Sequence, residues 1–343
     1  MKNIFRNKNI LVTGGTGSIG SEIVRQIIEF NPHTIRVYSR DEYKQFVMAN
    51  VFKHDKRLRF LLGDVRDKQR LLMAMEEIDI VYHIAAIKHV PISEYNPFEA
   101  VKTNVIGTQN AVECALESGV KTFVGISTDK AAEPINVMGA TKLLGEKIIT
   151  AATFYKGNKI TKFSSVRFGN VLGSRGSVVP LFIEQIKTDG PVTVTDPEMT
   201  RFFMTIPDAA GLIFKATELT QGGEVFILKM PTMRLGDLVE VLIEEYAPKF
   251  GYKPGNIKIK YLKSRPGEKF YEILLSESEA KFTLETEEMF IILPHPEYNA
   301  VLDIDIKKYG KANKVKVTKY SSEGKGLSKK EIRELIKKMN LNL

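Results

Sequence analysis

The sequence is poor in what would make a disulfide-held, metal-held or membrane-spanning protein. One cysteine among 343 residues, Cys114, leaves no partner for an internal disulfide. Its place in an Ala-rich helical pattern suits a small core residue better than a nucleophile. No Cys/His cluster has metal-ligand spacing, so no structural zinc is expected. No apolar run approaches the roughly eighteen residues that span a bilayer, and the first residues carry no apolar signal core or cleavage site. These absences point to the cytoplasm. Internal repeats and low-complexity stretches are missing as well. Charge of one sign is scarce over most of the chain, because the formal net charge of +9 resides in residues 307–343. That segment holds 12 Lys and Arg against Glu323, Glu331 and Glu334, while the other 306 residues hold 38 charges of each sign. A balanced body does not select nucleic acid. The basic tail, with few aromatics among its charges, reads as a solvating terminus, the alternative being a contact for an anionic surface.

What is present is a globular composition, 43% hydrophobic and 27% charged, enough for two domains or one large domain with a lobe. Asn9–Thr13 reads as a short apolar strand, and an amphipathic helix is expected from Ser21 to Phe30. Between them lie Gly14, Gly15, Thr16, Gly17, Ser18, Ile19 and Gly20. Glycines at 14, 17 and 20 allow a tight turn, close approach of backbone amides to a pyrophosphate, and close packing of helix on strand. The helix N-terminus adds partial positive charge. The next strand, Thr34–Ser39, ends where an acid would select the ribose hydroxyls of NAD; here Ser39 and Arg40 follow, with Lys44 a turn later. Cations at that place suit the 2′-phosphate of NADP, although Asp41 keeps NAD open.

Leu58–Leu62 then leads into Gly63, Asp64 and Val65, and Ile78–His83 into Ile84, Ala85 and Ala86, while Asn96–Pro97 opens a helical pattern that reaches Gly119. Repeated βα units predict an α/β fold with a doubly wound parallel Rossmann sheet. Residues 1–170 are expected to form the dinucleotide-binding domain, with some later segments returning to it. Residues 171–300 are expected to form a smaller α/β substrate lobe, and 301–343 a basic tail ending in a helix whose Ser328 and Glu331 have capping-box spacing.

Chemistry is expected where the strand Thr122–Ser127 gives way to Thr128, Asp129 and Lys130, because open α/β sheets hold substrates at the carboxyl ends of strands. Asp129 and Lys130 offer an acid and a base side by side. Met138 and Lys142, four apart on the following helix, share one face of it. An Asp-Lys dipeptide alone is more readily a solvated surface pair, and it is the context of these two that reverses the reading.

Thr13–Gly20, Gly63–Asp67, His83–Pro91, Asn104–Thr108, Ser127–Lys130 and Lys142 together resemble an extended short-chain dehydrogenase/reductase. With Arg265, Pro266, Gly267, Glu268 and Lys269 added, the chain resembles more narrowly the UDP-N-acetylglucosamine 4,6-dehydratases of capsule and flagellin-glycan pathways, over residues 5–295. The resemblance implies an NADP-dependent lyase that oxidises C4 of the sugar, eliminates water across C5 and C6, and returns the hydride to C6, with inversion at C5 favoured over retention. It assigns Asp129 as the acid and Lys130 as the base. That requires a raised Asp129 pKa and a lowered Lys130 pKa in a dry pocket.

It implies cofactor contacts from Gly14, Thr16, Gly17, Ser18, Ile19, Gly20, Ser39, Arg40, Lys44, Asp64, Val65, Ala85, Ala86, Lys88, Asn104 and Lys142, and substrate contacts from Lys88, Met138, Asn170, Thr195, Arg201, Arg265 and Glu268. Two arginines suit a diphosphate, since each guanidinium offers forked donors. The departure from the pattern is Met138, which stands where the superfamily has a catalytic tyrosine. A thioether is no base, so Thr128 with Asp129, or Lys142 through water, inherits the role. A UDP-sugar substrate and a homo-oligomer built on the helical patterns 96–119 and 137–157 are further implications. The competing readings are a nucleotide-sugar 4-epimerase and a non-catalytic NADP-binding sensor.

Overall fold

Runs rich in apolar residues become the strands β1 Asn9–Thr13, β2 Thr34–Ser39, β3 Leu58–Leu62, β4 Ile80–His83 and β5 Thr122–Ile126, while Lys162–Arg167, with only Phe163 and Val166 apolar, forms β6 beside β5. The computed structural model describes residues 3–263, 265–295, 297 and 304–339. The strands lie in the order β3-β2-β1-β4-β5-β6 and continue with Val225–Leu228, all parallel. An antiparallel margin follows from Met289–Ile292, Thr283–Glu285 and Asn313–Lys314. This is the doubly wound parallel sheet expected of the α/β class. Its strand order reverses at β1 and β4, which opens a crevice at their carboxyl ends.

Side chains alternate across the sheet with the period of two that a strand imposes. Ile10, Val12, Val124 and Val166 join one apolar core, and Leu11, Val81, Phe123 and Phe163 the other. Each such side chain contributes about 1.5–3 kcal/mol by leaving water. Cys114 belongs to the second of these cores beside Leu71 and Ala111, and burial pushes its thiol up to about 11.

The helical pattern from Asn96 to Gly119 is divided in the structure into Pro97–Val101, a π-helical turn at Lys102–Ile106, and Gly107–Glu117. The turn buries Thr103 and Asn104. A third core gathers Phe182, Ile186, Val194, Leu238, Leu242 and Ile257 beyond the crevice. The helix Lys329–Lys337 docks there with Ile332 and Ile336 buried. Ser328 and Glu331 form the capping box that their spacing predicts. Part of the tail's basicity is used in this docking: Lys329 pairs with Glu240, and Arg333 with Glu244 at 2.5 Å and Glu245 at 2.8 Å. Each exposed pair is worth at most about 1 kcal/mol.

Candidate active site

The ends of β1 and β4 meet at Gly14. Its φ of 66° is left-handed, and a Cβ there would stand 2.8 Å from the Ala85 nitrogen, so only glycine permits the approach. From Gly17 the chain enters helix α1, Ser18–Ile28, whose first turn faces the crevice. A cleft of about 880 Å³ runs from this loop past Ser39, Arg40, Lys44, Asp64, Val65, Ala85, Ala86 and Lys88. It continues to Thr128, Lys130, Met138, Lys142, Asn170, Arg201, Arg265 and Glu268. Four expected contacts do not line it. Gly20 is in the packing behind the loop, where a Cβ would come within 2.6 Å of the Gly14 oxygen. Asn104 is buried with its amide occupied by Ile87, accepting from the nitrogen at 2.8 Å and donating to the oxygen at 3.0 Å. It therefore positions the segment after β4. Thr195 donates to Glu268 at 3.3 Å from outside the cleft, and Asp129 lies beneath its surface.

At the adenosine end each expected cation has an acidic neighbour. Arg40 lies 3.4 Å from Asp64, and Lys44 donates at 2.6 Å to Asp41, which also caps the helix Glu42–Val51. Arg175 is a cation the sequence reading missed. Its backbone N–H donates to the Ser18 hydroxyl at 2.9 Å, and its guanidinium donates to the Thr16 carbonyl. Lys88 donates to the Arg175 carbonyl at 2.8 Å, so it braces this loop over the glycine turn. The only sequence signal was an arginine set between Gly173 and Gly176.

At the reacting end, β5 passes into a short turn, Asp129–Ala131, because the Asp129 nitrogen bonds the Phe168 oxygen at 3.0 Å and Thr128 caps the turn. The Thr128 hydroxyl donates to Asp129 Oδ1 at 2.8 Å, and Lys130 Nζ donates to the same oxygen at 3.0 Å. Glu272, absent from the sequence reading, brings its Oε1 to 3.3 Å from Lys130 Nζ. Asp129 is 0% exposed and Lys130 21%. Asp129 Oδ2 and Glu272 Oε2 find no hydrogen-bond partner among the described residues.

The lowering of the Lys130 pKa expected once a sugar covers the pair is not present in the open cleft. Burial pushes the ammonium down, but the attraction of Asp129 and Glu272 outweighs it and holds the group above its ordinary value. Glu272 is pushed up by burial, against the opposing pull of Lys130. Lys142 behaves as a desolvated amine, pushed down to about 8, and donates to the Ile126 oxygen at 2.5 Å.

Arg201 was expected to offer a fork to a diphosphate. Most of that fork is occupied: Nη1 donates to the oxygens of Thr200 at 2.8 Å and Phe270 at 3.0 Å, and Nη2 to that of Lys269 at 2.8 Å. The guanidinium thus folds residues 265–272 onto the cleft. Arg265 stands exposed on the rim.

A glycine turn at one end of the cleft and the Thr128-Asp129-Lys130-Glu272 cluster at the other, on this sheet order, are the arrangement of the extended short-chain dehydrogenase/reductase class. Residues 10–294 match the polysaccharide biosynthesis protein family, and the chain belongs to it. The chain is 52% identical over 340 residues to the uncharacterized membrane protein MJ1061 of Methanocaldococcus jannaschii, covering 99% of this chain and 98% of the relative. It is 44% identical over 340 residues to the UDP-N-acetylglucosamine 4,6-dehydratase (inverting) of Campylobacter jejuni, covering 97% and 98%. Among solved structures, Pen from Bacillus thuringiensis superposes with a TM-score of 0.90 at 45% identity, over 98% of this chain and 99% of that one. Among the described residues no helix is long and apolar enough to cross a membrane.

Proposed function

We propose that this chain is a UDP-N-acetylglucosamine 4,6-dehydratase that converts its substrate to a UDP-4-keto-6-deoxy-N-acetylhexosamine with inversion at C5, for surface polysaccharide or glycan assembly. The observation that carries the reading is the Thr128-Asp129-Lys130 turn opening into the same cleft as the Gly14 loop. The Campylobacter jejuni relative's name supports it.

The residues at the upper end fit a dinucleotide, with Gly14 held at positive φ against Ala85 and the first turn of α1 aimed into the cleft. We take the cofactor to be NADP, with Arg40, Lys44 and Arg175 as the cations nearest the 2′-phosphate. A bound nicotinamide supplies the acceptor for the C4 hydride and its return to C6.

The chain's own groups move the protons. Met138 cannot, so the Thr128 hydroxyl, already bonded to Asp129 at 2.8 Å, passes the proton of the C4 hydroxyl to that carboxylate. Lys130 as a free amine removes the proton at C5, and the proton held by Asp129 leaves with the C6 hydroxyl as water. Lys142 places positive charge beside the cofactor ribose. Asn170, Arg265 and Glu268 hold the nucleotide sugar.

We place the enzyme in the cytoplasm and take it to act as a homo-oligomer. Phe98, Leu144 and Tyr155 are exposed on the helical segments that would meet. Incubation with UDP-N-acetylglucosamine in heavy water should yield a 4-keto sugar labelled at C5. UDP-N-acetylgalactosamine without a keto intermediate would instead make it a 4-epimerase, and cofactor binding without turnover a sensor.

A further inference from the structure

The proposed base rests in the wrong ionisation state, because two carboxylates hold Lys130 as an ammonium. Building on the dehydratase reading, we propose that Glu272 is the proton-relay residue of the elimination: it takes the ammonium proton of Lys130 and frees the amine to act at C5 of the sugar.

Three observations carry this. Glu272 Oε1 stands 3.3 Å from Lys130 Nζ, within reach of proton transfer after a small adjustment. The side chain is 3% exposed yet lines the cleft, and its Oε2 has no hydrogen-bond partner among the described residues, so one oxygen is open to a proton. The backbone is fixed: the Glu272 nitrogen donates to Ser322 Oγ at 2.9 Å, the Ser322 nitrogen donates to the Glu272 oxygen at 2.8 Å, and the strand Ile273–Leu275 follows directly. A carboxylate placed this firmly in a dry site, without a full set of donors, is costly as a structural device.

The charges favour the step. Lys130 lies between Asp129 and Glu272, and a single ammonium neutralises only one of them. Repulsion from Asp129 and burial push Glu272 toward its protonated form, while Lys130, Arg201 and Lys269 oppose. Arg201 Nε lies 3.9 Å from Glu272 and helps keep it ionised at rest. When the sugar expels water from the cleft, the ion pair collapses to a neutral amine and a neutral acid: an N–H bond of Lys130 breaks and an O–H bond forms on Glu272. The amine lone pair then takes the C5 proton, the C5–H electrons become the C5–C6 double bond, and the C6–O bond breaks as the Asp129 proton goes to the leaving oxygen. After hydride returns to C6, C5 takes a proton from water on the face opposite Lys130, Lys130 keeps the C5 proton as its ammonium, and Glu272 gives its own proton to the hydroxide left behind, which restores the pair.

Glu272→Gln keeps the size and cannot accept a proton. In the NADP-loaded full-length enzyme, formation of the keto sugar and deuterium wash-in at C5 should fall together by about 100-fold. KM should stay within about threefold, and reduction of the bound nicotinamide in a single turnover should persist. The low-pH limb of the wild-type rate, where Glu272 is protonated in advance, should be absent from the variant, and Glu272→Asp should recover part of the rate. UDP and NADP affinities equal to wild type show that the fold is kept. A wild-type elimination rate in Glu272→Gln overturns the proposal, as does equal loss of nicotinamide reduction and elimination. A wild-type protein that makes no keto sugar overturns the dehydratase reading beneath it.

Discussion

Arg167 and Lys130 are both cations set between two carboxylates at the carboxyl side of the sheet, and the structure treats them differently. Arg167, at the end of β6 and 1% exposed, directs all five guanidinium donors to partners: two to Glu146 at 3.0 and 2.6 Å, two to Glu279 at 3.1 and 3.0 Å, and one to the Leu274 oxygen at 2.9 Å. Glu279 in turn closes a capping box with Ser276. Burial pushes the guanidinium down, but the two glutamates outweigh it and hold the charge firmly. Lys130 has the same two-carboxylate setting, but each carboxylate keeps an oxygen without a partner, and the cleft reaches the amine. A closed cluster holds a fold together, whereas an open one keeps capacity for a proton that must come and go. The two are joined, since Arg167 grips Leu274, two residues after Glu272.

The contrast can be broken most strongly at the open cluster. Lys130→Ala should lower keto-sugar formation by at least about 1,000-fold while leaving NADP affinity within about twofold, read by product assay and cofactor titration. Its loss of unfolding free energy should be smaller than that of removing Arg167, because Lys130 is 21% exposed and water can enter where the amine stood. A variant that still dehydrates would remove the base assignment. At the closed cluster, Arg167→Met should cost about 3–5 kcal/mol in denaturant unfolding, since it leaves two buried carboxylates uncompensated. A loss no larger than that of Lys130→Ala would place both clusters in one category.

Lys142 gives the smallest effect and a pH signature. Burial pushes its folded-state pKa down to about 8, so the ammonium loses its proton as pH rises through that value. If its charge supports hydride loss, the rate should fall above about pH 8, by roughly tenfold per unit at the limit. Lys142→Arg, which stays charged, should keep the rate level there. A wild-type profile that stays flat from pH 7 to about 10 would separate Lys142 from the chemistry.

Much of the fold was legible because its signals are local. β1 and β5 are apolar runs long enough to show themselves, and the helix Ser18–Ile28 overlaps the amphipathic stretch from Ser21 to Phe30. Asn170–Val171, Thr232–Arg234 and Asn313–Lys314 were not legible. Two or three residues cannot display a period of two, and these form only because the rest of the chain presents a partner strand. The glycine loop and the Thr128–Lys130 turn were found by the same local logic. Glu272 left one trace, a lone acid at the head of the apolar run Ile273–Leu275, and nothing local showed that the Asn104 amide serves Ile87.

The sequence by itself determined the parallel sheet, the dinucleotide turn and the neighbouring acid and amine, since each is written in residues a few positions apart, where backbone geometry and side-chain period act. Only the tertiary structure decided the charge on that amine. The field at Lys130 comes from Asp129, from Glu272 and from the loss of water, and the last two arise when the strand after residue 272 packs against the Asp129–Ala131 turn, an event that no spacing within either segment encodes.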